Sequence, residues 1–270
     1  MHRPLRARSA LPATFALGLV CGCRNIEPAP KALDAVLRWS FFAFDEAEDE
    51  TVAEAIRNLD KAAGGANIEH QDGTIGPLDA EQLADMGFDK HDPADAQGIY
   101  MVNTVNCSLK QMQELLLARD QNDLYPGTYE TYSREWGEGV SALRDGEGDR
   151  GAWDETFTVS QLGIKYGADT EGGLRRVREI DDEQTPFGDI LLTRRIMPKP
   201  ADMEDPDHSY PQDWRSELYY ERSPGKVVRA AAMWREADFG AIRSDQEGTW
   251  RILLNGMKKW DETSGEHCAE

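Results

Sequence analysis

Residues 212–237 read Gln-Asp-Trp-Arg-Ser-Glu-Leu-Tyr-Tyr-Glu-Arg-Ser-Pro-Gly-Lys-Val-Val-Arg-Ala-Ala-Ala-Met-Trp-Arg-Glu-Ala. Side chains alternate across a strand, so Trp214, Ser216, Leu218 and Tyr220 share one face of an incoming strand over 212–222. Val228, Ala230, Ala232 and Trp234 likewise share one face of an outgoing strand over 226–237, and Ser223-Pro-Gly between the two supplies a turn. The stretch reads as an antiparallel hairpin with one apolar face. Just beyond it, Ser244 and Glu247 have the spacing of a capping box, and Trp250, Leu253, Leu254 and Met257 fall on one side of the helix that follows. An apolar sheet face and a long helix with an apolar stripe are natural packing partners, since each removes the other from water.

Upstream, strand patterns recur near 128–136, 153–166, 172–180 and 189–197, separated by clusters such as Asp145-Gly-Glu-Gly. Ile99–Val105 alternates as a strand, and Ser108-x-x-Gln111 caps a helix with Met112, Leu115 and Leu116 inward. The region before it is helical. Residues 31–44 place Leu33, Val36, Leu37, Phe41 and Phe44 at helical spacing. A second helix opens on the Thr51…Glu54 pair, carries Val52, Ala55, Ile56 and Leu59, and stops at Gly64-Gly65. Asp79…Gln82 caps a short helix ending near Gly87. The expected class is α+β: N-terminal helices over 31–98, then a body over 99–270 in which an antiparallel sheet of about six to seven strands packs on a long C-terminal helix. Residues 31–270 together form one compact domain.

The element order over 99–262, strand, helix, a run of antiparallel strands and a terminal helix, resembles the helix-grip fold of START and Bet v 1-like lipid-binding proteins. In that fold a curved sheet wraps the last helix around a cavity. The resemblance lies in order alone, and one helix follows the first strand where that family shows two. It implies that Trp214, Leu218, Tyr220, Ala230, Ala232 and Trp234, facing Trp250 and Leu254, line a cavity for an apolar ligand, because small Ala opposite Trp leaves concave space. A generic antiparallel α+β sandwich would fill the same place with core.

The chain has 270 residues, 50 Asp+Glu against 30 Lys+Arg, and a formal charge of −20. Its 40% hydrophobic content, with 7 Trp, 8 Tyr and 8 Phe, is enough for a core, which excludes a disordered chain. Such acidity repels phosphate backbones, so nucleic acid is not an expected partner. The N-terminus departs from this charge. Residues 1–9 carry Arg3, Arg6 and Arg8 with no acid, and 10–20 form an apolar run too short to span a bilayer as a permanent helix. Residues 1–22 thus read as a signal peptide. The following Val20-Cys21-Gly22-Cys23 resembles the bacterial lipoprotein lipobox, with an aliphatic residue three before and a small residue just before the modified Cys. That resemblance implies cleavage before Cys23, acyl chains on its thiol and its new amine, and a short Pro-containing tether over 23–30. Several chains on one residue make a stable anchor. Arg24, in place of the Asp that the family associates with inner-membrane retention, favours the outer membrane. An ordinary secretory signal is the alternative. Removing 1–22 takes the formal charge from −20 to −23.

Processing leaves Cys107 and Cys268 in the body, and an exported compartment invites a bridge between them. Signs of catalysis are thin: G-x-S-x-G, H-E-x-x-H, P-loop and paired C-x-x-C patterns are missing, and the His residues at 2, 70, 91, 208 and 267 are scattered. His70-Gln-Asp72-Gly73-Thr74-Ile75 with Asp79 has the centre of an EF-hand loop, but Ile68 and His70 hold ligand positions and Asp79 replaces the bidentate Glu, so a turn is expected there and no metal. Acid runs at Asp45–Glu50, Asp181–Glu183 and Asp202–Asp207 read as solvated faces. Arg176 and Arg178 share one strand face, and Arg229 and Arg235 share the face opposite the apolar set. If those strands are neighbours the four form a basic stripe for an anion; otherwise they pair with Glu179, Glu217 and Glu221.

No catalytic residue or cofactor is expected. The leading reading is an exported, envelope-anchored lipoprotein, held to the membrane through Cys23, whose non-catalytic body binds a protein or a small apolar ligand. A lipid carrier of helix-grip type is one alternative. An envelope enzyme whose residues meet only in space, such as His70 or His208 with nearby carboxylates, is another.

Overall fold

The computed structural model describes residues 28–68, 70–161, 163–178 and 187–269. The signal peptide, Cys23 and the acid run Asp181–Glu183 lie outside the described residues. The chain begins with two helices, α1 (Leu33–Glu46) and α2 (Asp49–Ala62), then β1 (Gln71–Ile75), α3 (Ala80–Asp85) and β2 (Gln97–Val105). Next come α4 (Leu109–Leu116), α5 (Gln121–Leu124), β3 (Thr131–Trp136), α6 (Val140–Arg144), β4 (Arg150–Gln161) and β5 (Ile164–Val177). The last part holds β6 (Ile190–Ile196), β7 (Asp202–Met203), β8 (Ser209–Ser223), β9 (Lys226–Phe239), β10 (Ile242–Arg243) and α7 (Glu247–Ala269). The fold is α+β as expected.

One antiparallel sheet of ten strands runs β1-β2-β9-β8-β6-β5-β4-β3, with β10 on β9 and β7 on β5, more strands than the six to seven expected. The strands beyond those read from the sequence are β1, β7 and β10. β1 lies in the polar Gln-Asp-Gly stretch that reads as loop, and it pairs with β2 from Gln71↔Val102 to Ile75↔Gly98, so part of 31–98 belongs to the sheet. The segments read as strands 153–166 and 172–180 are instead one hairpin, β4 and β5, turning at Gly163 with φ +79°. Gly172 and Gly173 resemble turn residues but sit mid-strand. A Cβ on Gly172 would lie 2.2 Å from the Trp153 indole nitrogen, and one on Gly173 would lie 2.7 Å from Phe44, so close approach explains both.

The hairpin at 212–237 forms in the expected register, Trp214↔Trp234, Leu218↔Ala230 and Tyr220↔Val228. Its apolar face, however, meets α1 and α2. Val36, Leu37, Phe41, Ile56 and Leu59 pack with Trp214, Leu218, Tyr220, Ala230, Ala232 and Trp234 in one buried cluster. α7 lies on the opposite face, where Trp250, Leu253, Leu254 and Met257 meet Ile99, Met101, Ala231 and Met233. The expected confrontation of Trp250 and Leu254 with the six apolar residues is therefore wrong. Its cause is that β9 is buried on both sides, from Val227 through Trp234, so Ala231 and Met233 form a second apolar face.

Helix starts follow local chemistry only in part. Ser108 and Gln111 form the expected capping box, and Asp79 accepts the Gln82 N–H at 2.9 Å. α2 starts at Asp49 with Glu48 before it, leaving Thr51 buried inside the first turn. The Ser244 hydroxyl accepts the Ala237 N–H at 3.0 Å, so it holds β9 instead of capping α7. Cys107 and Cys268 are joined as a disulfide, with Cα atoms 5.2 Å apart, tying the end of α7 to the start of α4.

Candidate functional site

The sheet face under α7 carries an unusual density of charge. Register places Arg134 of β3 opposite Glu155 of β4, Glu155 opposite Thr170 of β5, and Arg195 of β6 opposite Arg215 of β8. Glu155 receives the Arg134 guanidinium at 2.6 Å, the Tyr132 hydroxyl at 2.6 Å, the Thr170 hydroxyl at 2.9 Å and Arg195 Nε at 2.9 Å. Asp213 of β8 receives Arg215 Nε at 2.8 Å, Arg235 Nε at 2.7 Å and the Tyr210 hydroxyl at 2.6 Å. A third group joins the sheet to α7: Arg229 holds Glu217 at 2.5 Å and Asp261 at 2.8 Å, stands over the Trp260 ring at 4.5 Å, and Asn103 donates to Asp261 at 3.0 Å.

These partners fix the protonation states. Burial alone would push the Glu155 carboxyl up, yet Arg195, Arg134 and the Tyr132 hydroxyl hold it at about 2. Burial acts the same way on Asp213, and Arg215 and Arg235 together overcome it, keeping that carboxyl below its usual range. Burial raises the Tyr166 and Tyr210 hydroxyls. The Glu155 and Asp213 carboxylates are thus held in the charged form and the Tyr166 and Tyr210 phenols in the protonated form, while burial pushes the Asp261 carboxyl of the third group up.

One end of this face is plugged. Leu109, Met112, Val140 and Leu143 pack with Tyr219, Val227 and Trp260 there. At the other end, between the β4–β5 turn, the end of β9, β10 and the first turns of α7, an open apolar cleft of about 110 Å³ remains. Val159, Ile164, Tyr166, Ala237, Phe239, Ile242 and Leu253 form its walls, and Arg235 reaches it from the floor. Tyr166 stacks on Phe239 with ring centres 6.1 Å apart, and both meet Tyr210 edge to face. Ile252, half exposed, stands on the rim.

The residues singled out from sequence lie elsewhere, apart from Arg229 and Arg235. Trp214, Leu218, Tyr220, Ala230, Ala232 and Trp234 are closed core, each 3% exposed or less, with Trp234 donating to the Gly76 carbonyl at 2.8 Å. The four-arginine stripe does not form, because β5 and β9 are separated by β6 and β8. Each arginine instead meets its own acid: Arg176 with Asp189 at 2.7 Å, Arg178 with Asp149 at 2.7 Å, Arg229 with Glu217 and Asp261, and Arg235 with Asp213. The EF-hand-like residues run from just before edge strand β1, where His70 bonds Asp72 at 2.7 Å, through the strand to Asp79, which caps α3. His208 stands 3.9 Å from Asp205 and edge-on to Phe239. The acid run at 45–50 is partly structural, since Asp45 pairs with Arg194 and Asp49 with Arg175, both at 2.6 Å.

No family model matches the chain, and no curated protein matches it. Several solved structures do. An aromatase/cyclase, Zhui, from Streptomyces sp. R1128 is 8% identical over 63% of this chain and 90% of that one, with a TM-score of 0.37. A START superfamily protein from Mycobacterium smegmatis is 8% identical over 64% of this chain and 97% of that one, also at 0.37. Norcoclaurine synthase from Thalictrum flavum is 12% identical over 65% of this chain and 87% of that one, at 0.34. These likenesses are distant, and nothing about the ligand or activity of this chain follows from them.

Proposed function

We propose that the protein is a non-catalytic binding module that takes the apolar end of a small ligand in the cleft beside the start of α7, and that acyl chains on Cys23 hold it in the cell envelope, the outer membrane being favoured. The observation that carries the binding reading is the open cleft itself, walled by Val159, Ile164, Tyr166, Ala237, Phe239, Ile242 and Leu253. Its size limits what enters. At about 110 Å³ it falls below the range of roughly 300 Å³ and more that encloses a drug-sized molecule, and suits a single ring or a short alkyl end. Binding of one end therefore fits better than carriage of a whole lipid. A floor in which Glu155 and Asp213 are held charged suits retention of a ligand better than its conversion.

Filling the cleft tests this. Ala237 is buried on the cleft wall, and Ala237→Leu adds volume there. The mature chain is expected to bind 1-hexanol in a calorimetric or NMR titration, and the variant to bind at least about tenfold more weakly, the effect of losing one buried side chain's worth of contact. Equal binding by both chains, with the variant folded by circular dichroism, would place the ligand elsewhere.

A further inference from the structure

We infer that the floor beside the cleft contains a carboxylate subsite formed by Arg195 and Arg215, so that the ligand is an amphipathic carboxylate with its apolar end in the cleft. The inference rests on the binding role of the cleft proposed above. Arg195 and Arg215 are direct cross-strand neighbours on the α7 face. Like charges placed opposite one another on a sheet repel, and the nearby acids do not offset them one for one. Glu155 is shared between Arg134 and Arg195, and Asp213 between Arg215 and Arg235, so two carboxylates serve four guanidiniums. Glu217, two residues from Arg215 on the same face, is engaged by Arg229, Thr193 and Tyr219.

The donors left over point to the same chemistry. Arg195 uses Nε on Thr170 and Glu155, and its Nη2 is buried without a hydrogen-bond partner among the described residues. Arg215 uses Nε on Asp213. Both side chains are hemmed in by protein, yet Arg195 keeps 18% and Arg215 28% of its surface open to water. Two planar guanidiniums side by side, partly open to water and with donors to spare, match the flat, two-oxygen face of a carboxylate. The route to the cleft is short, because Asp213 bonds both Arg215 and the cleft residue Arg235. Tyr129 and Tyr166 adjoin the same charges, and Tyr166 also lines the cleft.

The test compares hexanoate with 1-hexanol on the mature chain by calorimetry at neutral pH. Hexanoate is expected to bind at least about tenfold more tightly, the size of one charge-assisted contact. Arg195→Gln is expected to bring the ratio to about one, and Arg195→Lys, which keeps the charge beside Glu155 but loses the fork, to leave an intermediate ratio. The wild-type comparison needs no variant, so misfolding of either one does not rescue the inference. Equal wild-type affinities, or a preference that survives Arg195→Gln undiminished in a folded protein, would overturn the subsite while leaving the cleft in place. Hexanoate binding lost in Arg195→Gln, without any 1-hexanol binding, supports the subsite and counts against the cleft. Binding of neither probe removes both.

Discussion

Glu155 shows how much one side chain organises. It lies 3% exposed at the crossing of β3, β4, β5 and β6, and its two oxygens collect Arg134, Tyr132, Thr170 and Arg195. Removing the charge leaves two arginines facing each other in a buried place. Glu155→Gln is therefore expected to cost about 3–5 kcal/mol in urea unfolding, the penalty of stranding buried charge. The same residue sets an acid limit. Its folded pKa of about 2 lies below the ordinary 4.5, so its stabilisation is present above pH 4.5 and drains away as pH falls from there toward 2. Over that window the loss for this group is roughly 3 kcal/mol. Denaturation midpoints measured at pH 6 and pH 3 should differ more in the wild-type chain than in Glu155→Gln, and an equal difference would show that other carboxylates dominate.

At the scale of elements, what was legible in the sequence was what is local. The 212–237 hairpin, the Ser108 and Asp79 caps and the apolar side of α7 each depend on residues within a few positions of one another, and each forms as read. The side of the sheet that α7 covers depends on residues far apart, and alternation could not supply it. Ala231 and Met233, on the same side of β9 as Arg229 and Arg235, form a second buried face. The charged floor was hidden for the same reason. Glu155 stands between Asp154 and Thr156, Arg195 between Arg194 and Ile196, and Arg215 between Trp214 and Ser216, so none stands out as a site residue until register brings the strands together. Arg235 was noticed, but its partner Asp213 lies across the hairpin and was not. The disulfide was within reach because Cys107 and Cys268 are the two cysteines that follow residue 23, and its role is now specific to an element: it clamps the last turn of α7 to the start of α4 across 161 residues of chain. Closing so long a loop is worth about 3–5 kcal/mol in the chain-entropy description. Wild-type protein should lose about that much stability on reduction, whereas Cys268→Ser should start lower and not respond to reductant. A wild-type chain indifferent to reductant would mean that α7 is held by its packing alone.

For the molecule as a whole, charge is layered. An excess of arginine sits on the inner floor, while the chain as a whole carries −20, and the mature form of the proposed processing −23. That layering bears on the proposed membrane attachment. Anionic lipid surfaces repel a strongly acidic body, so under the proposed anchoring the body would supply no electrostatic grip and the hold would come from buried hydrocarbon. Acyl chains on Cys23 would provide it, each buried methylene contributing about 0.8 kcal/mol. The two kinds of attachment respond oppositely to salt. At about 1 M salt the screening length falls to roughly 3 Å, which releases a protein held by charge and leaves one held by acyl chains in place. The wild-type protein is expected to stay in the membrane pellet through a wash of that strength and to leave it only in detergent. Cys23→Ser is expected to escape lipid modification and the normal cleavage, and its body, once freed of residues 1–22, to remain in the supernatant at every salt concentration. Release of the wild type by salt, or normal processing and pelleting of Cys23→Ser, would show that the attachment does not run through this cysteine.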